Sequence, residues 1–312
     1  MQQNGQSPHI PVLLEESVSN LINNRNGVYI DGTLGYGGHA ETILERLGSK
    51  GLLIGLELNP KALSFAQNRL APHQDRFSLH LSNFQQFSKP LFNLNIRKIH
   101  GILLDLGLSS PSIDESENGF SYKNEGPLNM LFGQKNGITA KEFLNSNNES
   151  DISLIIRKFG EEKNSKKIAK SIVKNVKSGK MNSTYDLRDA ICAVTATRFQ
   201  LKTLSRVFQA IRIHVNNELE VLKKTLELSL YFLKTGGRIA VISYHSLEDR
   251  IVKTFFNDHS KICVCPPEIP VCVCDTTPSL KKITKKAIVP SSEEISQNNR
   301  ARSARLRVSE RI

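Results

Sequence analysis

One short stretch constrains the fold more than any other: Val28-Tyr29-Ile30-Asp31-Gly32-Thr33-Leu34-Gly35-Tyr36-Gly37-Gly38-His39. A β-branched and aromatic run ends in an acid, turns through glycines and opens into a helical apolar pattern over 40–47. That is the layout of strand, glycine loop and helix in a nucleotide-binding α/β unit. Glycines suit the loop because a Cβ would hold a ligand off the backbone, and because tight turns use positive φ. The first N–H groups of the helix lack intrahelical acceptors and face whatever binds above them. A purely structural βα turn has the same pattern, so the loop needs company before it carries a function.

The company follows in order. A second strand is predicted over 52–57 and ends in Glu57, about 20 residues beyond the glycines, where such units place a carboxylate that accepts ribose hydroxyls. Asn59-Pro60 then starts a helix over 61–70. A third strand over 77–81 leads to Ser82-Asn83-Phe84. A fourth, over 101–105, opens into Leu106-Gly107-Leu108-Ser109-Ser110-Pro111. Its continuous apolar run fits a strand covered on both faces. Ligands of open α/β sheets lie beyond the carboxyl ends of the strands. Asp31, Glu57, Phe84 and Asp105 therefore project onto one rim.

From about 139 to 199 helical periodicity takes over, with lysines at Lys163, Lys166, Lys167, Lys170, Lys174, Lys177 and Lys180. They form either a solvated face or a substrate-contacting one. The sheet resumes after a helix near 217–232, with a fifth strand over 236–243. His245, Glu248 and Asp249 just beyond it offer acid–base chemistry, or merely order a loop. Two late strands over 283–289 and 304–308 would make an antiparallel edge. This organisation gives a first sheet segment over 1–133, a helical insertion over 134–207 and a second sheet segment with a basic tail over 208–312.

A chain of 312 residues has room for one or two domains. The formal charge of +12 favours polyanionic partners without naming one. From Lys281 to Ile312 nine Lys/Arg face three Glu, a surplus of six and so half of the whole excess. The stretch Met1–Pro11 is polar, without the basic-then-apolar layout of a signal peptide and poor in Arg, and no apolar run would span a bilayer, so a cytoplasmic location is expected. Of the five cysteines, Cys192 stands alone, while Cys263, Cys265, Cys272 and Cys274 form two Cys-x-Cys pairs around prolines. Zinc sites favour the wider Cys-x₂₋₄-Cys. A packed Pro/Cys loop is therefore preferred over a metal site, and no metal is assigned.

Two ligands compete for the glycine loop. Gly35-x-Gly37-x-x-Ala40 fits a dinucleotide fingerprint, but Asp31 just ahead of it would repel a pyrophosphate. The same acid suits the ammonium group of S-adenosylmethionine. A class I (Rossmann-like) methyltransferase sheet with an inserted helical domain, α/β in class, is the better reading.

The residues then point to a family. Asp31–His39, the run Gly101-Ile102-Leu103-Leu104-Asp105-Leu106-Gly107-Leu108-Ser109-Ser110-Pro111, Phe208-Gln209-Ala210-Ile211-Arg212-Ile213, Ile242–Arg250 and the closing Arg300-Ala301-Arg302-Ser303-Ala304-Arg305-Leu306-Arg307 closely resemble the bacterial RsmH (MraW) family of 16S rRNA cytosine-N4 methyltransferases. The resemblance runs from about His9 to Arg311. It implies transfer of a methyl group from S-adenosylmethionine to the exocyclic N4 of a cytosine in the decoding region of 16S rRNA. It also implies that Gly35, Gly37, Gly38, His39, Glu57, Phe84, Asp105 and Ser112 bind the cofactor. Glu57 stands where many members have Asp, Ser112 replaces a usual Gln, Asn129 replaces an acid, and Lys202-Thr203-Leu204-Ser205 replaces His-Pro-Ala-Thr.

The chemistry asks for groups that hold a poorly nucleophilic amine in line with the methyl and accept its N–H bonds. Asp105, Ser109, Ser110 and Pro111 are the candidates, with no covalent intermediate expected. The small ribosomal subunit is the implied partner, with the helical insertion and basic tail on RNA phosphates. The oligomeric state stays open, a homodimer included. An RNA-binding assembly factor with a vestigial pocket is the non-enzymatic alternative, and a methyltransferase of another RNA the enzymatic one.

Overall fold

A computed structural model describes residues 10–107, 116–133, 137–263, 265, 274 and 276–312. The chain forms two compact units, one of Met1–Gly107 with Glu220–Ile312 and one of Leu108–Leu219.

The first unit is built on seven strands: β1 (Val28–Asp31), β2 (Leu52–Glu57), β3 (Phe77–Leu81), β4 (Ile99–Asp105), β5 (Leu233–Ser243), β6 (Leu280–Lys282) and β7 (Arg305–Arg311). They lie in the order β3-β2-β1-β4-β5-β7-β6. The first five are parallel and β7 is antiparallel to both its neighbours. This is the order of a class I methyltransferase sheet. Because successive residues of a strand face opposite sides, each apolar run feeds two cores. Tyr29, Leu53, Leu103, Ala240 and Ile242 pack on one face with Val18, Leu21, Ile43 and Leu44. Ile30, Ile54, Ile102, Leu104, Ile239 and Val241 pack on the other with Phe87, Leu91, Leu222, Leu226 and Val252.

The covering helices are α1 (Leu14–Leu21), α2 (Gly38–Arg46), α3 (Pro60–Arg69) and α4 (Ser88–Asn93). The chain marches outward from β1 through β2 to β3, then returns to place β4 on the other side of β1. That reversal is the switch point where open α/β sheets form a crevice.

The second unit carries α5 (Ala140–Ser146), α6 (Glu149–Gly160), α7 (Ser165–Lys177), α8 (Thr184–Cys192) and α9 (Gln200–Asn216). It has its own core, in which Phe143, Ile152, Ile156, Ile168, Ile172, Leu187, Ile191, Val207 and Ile211 meet. Thr139 with Glu142 and Ser183 with Asp186 close reciprocal capping boxes at α5 and α8. The helical unit is wider than the 134–207 stretch expected from periodicity. A boundary at 207 would cut α9 in half, and Phe208 and Ile211 beyond it belong to this helical core. All seven lysines named above are exposed, on the face of α7 opposite Ile168, Ala169 and Ile172 or at its flanks.

Returning to the sheet, α10 (Glu218–Phe232) leads into β5, and α11 (Ser246–His259) and α12 (Ser292–Gln297) follow. β5 starts at Leu233, three residues earlier than expected, because the ladder to β4 continues past an irregularity between Ile99 and Gly101. The edge strand differs more. The expected strand over 283–289 is replaced by the short β6, and Ile288 makes only an isolated bridge to Leu306. The cause is Thr284: its hydroxyl accepts the Val308 N–H at 2.9 Å, while Ile283 and Thr284 N–H both go to the Val308 carbonyl. A side chain thus takes a ladder bond and regular pairing stops. No helix among the described residues is long and apolar enough to cross a membrane.

Candidate active site

The glycine turn is tied down on both sides. Gly32 N–H donates to the Leu103 carbonyl, and Leu34 N–H to that of Leu56, each at 2.9 Å. A Cβ at Gly32 would meet Leu104 Cδ2 at 2.6 Å, so the backbone lies against the β4 side chains as closely as it can. Gly37 has φ 81° and is the N-cap of α2, a left-handed position that an L side chain rarely adopts.

Asp31, the last residue of β1, is 1% exposed. Its Oδ1 accepts the Thr33 N–H at 3.2 Å, and its Oδ2 has no hydrogen-bond partner. Burial pushes its pKa up to about 7; the Thr33 N–H opposes this, and the charges of Asp105 and Glu57 add to it.

Asp105 ends β4 in a matching position. Its N–H donates to Thr33 Oγ1 at 2.6 Å. The Tyr244 hydroxyl hydrogen-bonds to its carboxylate, and Oδ1 is left without a partner. Burial again dominates, and its pKa rises to about 7. Tyr244 is itself held well above the usual phenol range, by burial first and then by the charge of Asp105. His39, buried in the first turn of α2, donates from Nε2 to the Val12 carbonyl at 3.2 Å. A carbonyl only accepts, so the proton sits on Nε2 and Nδ1 faces Asp105 Oδ2 at 3.9 Å.

Glu57 closes the rim at the end of β2. Its Oε1 accepts the N–H groups of Leu58 and Asn59, and Oε2 that of Gly35, each at 2.8 Å. Burial raises its pKa and these three bonds counter the rise. Oε2 keeps one lone pair for a further donor. Phe84 opens the 3₁₀ turn after β3, half-buried against the face that holds Ile30 and Leu104.

The structure thus brings Asp31, Gly35, Gly37, Gly38, His39, Glu57, Phe84 and Asp105 to one rim. Ser109, Ser110, Pro111 and Ser112 lie outside the described residues. Thr33 and Tyr244 were missed in the sequence. Their role depends on β4 lying between β1 and β5, which only the register Asp31↔Leu103 and Asp105↔Ile242 reveals.

His245, Glu248 and Asp249 are employed structurally. His245 caps α11 and accepts the Glu248 N–H, while Glu248 Oε2 accepts the N–H groups of Tyr244 and His245 at 2.8 and 3.2 Å. Asp249 takes a two-pronged bond from Arg307 at 2.6 and 3.1 Å. This is the loop-ordering alternative for the trio.

A methyl donor with a cationic amino acid end fits this rim on the structure's own terms. Two buried carboxylate oxygens lack donors, and a positively charged ligand supplies them while relieving the repulsion between the acids. A pyrophosphate would do the opposite.

Residues 6–312 match the MraW methylase family. A protein of Caldicellulosiruptor saccharolyticus named ribosomal RNA small subunit methyltransferase H is 46% identical over 305 residues, covering 97% of this chain and 99% of its own. One of the same name from Fusobacterium nucleatum is 42% identical over 312 residues, covering 100% and 99%. Among solved structures, an rRNA methylase from Streptococcus thermophilus covers 96% of this chain and 93% of its own, with 10% identity and a TM-score of 0.41, too low to bear on function. With the match spanning nearly the whole chain, this protein belongs to the MraW methylase family.

Proposed function

We propose that the protein transfers a methyl group from S-adenosylmethionine to the exocyclic N4 of a cytosine in the decoding region of 16S rRNA, in the cytoplasm. The observation that carries the reading is the pair of buried, donor-less carboxylate oxygens on Asp31 and Asp105 beside the glycine turn. The names of the relatives supply the small-subunit rRNA as substrate class.

In this reading Asp31 would hold the ammonium group of the donor, Gly35, Gly37 and Gly38 would let its methionine part approach the backbone, Glu57 Oε2 would accept a ribose hydroxyl and Phe84 would contact the donor. When bound, the donor supplies an electrophilic methyl on a sulfonium. Asp105, whose pKa lies near neutrality, is the rim group suited to take the proton that leaves the amine. The Tyr244 hydroxyl hydrogen-bonds to its carboxylate and holds it in place. Ser109, Ser110 and Pro111 would line the amine, and Ser112 would touch the donor. The cytosine must leave its stack to reach such a rim. The exposed lysines of α7 and the basic C-terminal segment would hold the RNA by its phosphates.

The test is transfer from labelled S-adenosylmethionine to small ribosomal subunits taken from a strain lacking this gene, followed by nucleoside mass spectrometry. N4-methylcytidine formed only with enzyme is the expected product. Label in another nucleoside would reject the cytosine assignment. Absence of label with intact cofactor binding would favour an assembly factor.

A further inference from the structure

We propose that Cys263, Cys265 and Cys274 bind a zinc ion that ties down the connection between α11 and β6. Their Sγ atoms all lie within 4.8 Å of one another. Cys274 Sγ is 3.7 Å from Cys263 Sγ. Thiolates about 2.3 Å from a tetrahedral ion stand about 3.8 Å apart, so this pair is already spaced as one edge of a zinc tetrahedron. The Cys265 N–H donates to Cys263 Sγ at 3.4 Å, a bond that favours the thiolate over the thiol and so favours metal binding.

The tight Cys-x-Cys spacing argued against zinc in the sequence. In the structure the third ligand comes from the far side of the connection, so the set does not rest on near neighbours alone. The packed-loop alternative also loses its basis. Cysteines that serve packing are buried, whereas Cys263 is exposed and Cys265 and Cys274 are only partly covered.

The base of the connection is already fastened. Ser279 N–H donates to the His259 carbonyl at 2.9 Å, and the Ser279 hydroxyl lies 3.0 Å from His259 Nδ1. Immediately afterwards β6 begins with the buried Leu280. An ion held by these thiolates would tie Cys263 and Cys265 to Cys274, six residues ahead of β6, a structural role. Binding releases the thiol protons to solvent, and a fourth donor or a water completes the coordination. Cys272 lies outside the described residues and is left unchanged in the variants below.

The full-length protein, purified under reducing conditions, is loaded with zinc, moved into metal-free buffer and its zinc counted by mass spectrometry. One equivalent per chain is expected. The C263S/C265S/C274S variant is expected to retain at least about tenfold less, while C192S retains it all. In parallel, cobalt loaded into the unmutated protein is expected to show sulfur-to-metal charge transfer and the intense d–d bands of a tetrahedral site. That spectrum decides the matter even if the triple variant folds poorly, which its circular dichroism would reveal. No zinc retained by the unmutated protein would overturn the proposal. So would equal zinc in a folded triple variant, or a cobalt spectrum without sulfur character.

Discussion

Asp31 and Asp105 end the neighbouring strands β1 and β4, and Thr33 joins them: its N–H donates to Asp31 at 3.2 Å and its hydroxyl accepts the Asp105 N–H at 2.6 Å. The charge of Asp105 adds to the rise that burial imposes on Asp31, and each acid keeps one oxygen without a donor. On the proposed reading Asp105→Ala removes both a cofactor contact and the proton acceptor. Methyl transfer is expected to fall by about 10²–10⁴-fold with the thermal midpoint unchanged or higher. Turnover near the unmutated rate, read with labelled donor, would remove Asp105 from the site.

The same burial sets a pH dependence. Both acids rise from 3.8 to about 7 on folding, so the folded chain binds their protons more tightly than the unfolded one. Their contribution to stability is complete below pH 4 and is lost as pH rises to about 7. Cofactor affinity should run the opposite way, because the ammonium group needs ionised partners. Asp31→Asn is expected to flatten the stability profile between those limits and to weaken cofactor binding above pH 7. Thermal melts and calorimetric titrations across the range measure both.

Tyr244→Phe isolates the hydroxyl that hydrogen-bonds to Asp105. That bond lowers the Asp105 pKa against the effect of burial, so its loss should move the midpoint of the pH–rate profile upward. A profile that falls uniformly without shifting would mean that the hydroxyl acts only in packing.

Charge reversal at Lys166 and Lys170, both exposed on α7, tests the helical unit separately. RNA binding should weaken, with a salt dependence shallower by about 2 in its logarithmic slope. Cofactor affinity should stay as it is. Equal loss of both, in filter binding and calorimetry, would signal misfolding.

Asp249→Ala addresses the acid–base alternative. It strands Arg307, whose side chain is 13% exposed, and should cost about 3 kcal/mol of stability. The turnover of the folded fraction should remain. A large loss of turnover at full stability would restore Asp249 to the chemistry.

Much of the site was legible because its residues sit at strand ends. Each acid terminates an apolar run, and parallel strands bring their carboxyl ends to one rim whatever their order. Glu57 shows where that reading thins. Its position was right, but its three bonds to Gly35, Leu58 and Asn59 show a side chain that also holds the glycine turn. The helical boundary was misplaced because apolar periodicity marks a helix without saying which core it enters. The edge strand was misplaced because one threonine hydroxyl can take a ladder bond that the pattern assigns to the backbone.

The sequence by itself determined the parallel part of the sheet, the acids at its strand ends and the family, since these follow from local periodicity, glycine spacing and acids at fixed offsets. Only the tertiary structure decided which acids lack donors, how Thr33 and Tyr244 reach Asp105, and that Cys274 comes back to the Cys263–Cys265 pair. Those facts depend on which strands are neighbours and on which loop ends meet. Pairwise proximity across long chain separations leaves no periodic trace in the order of residues.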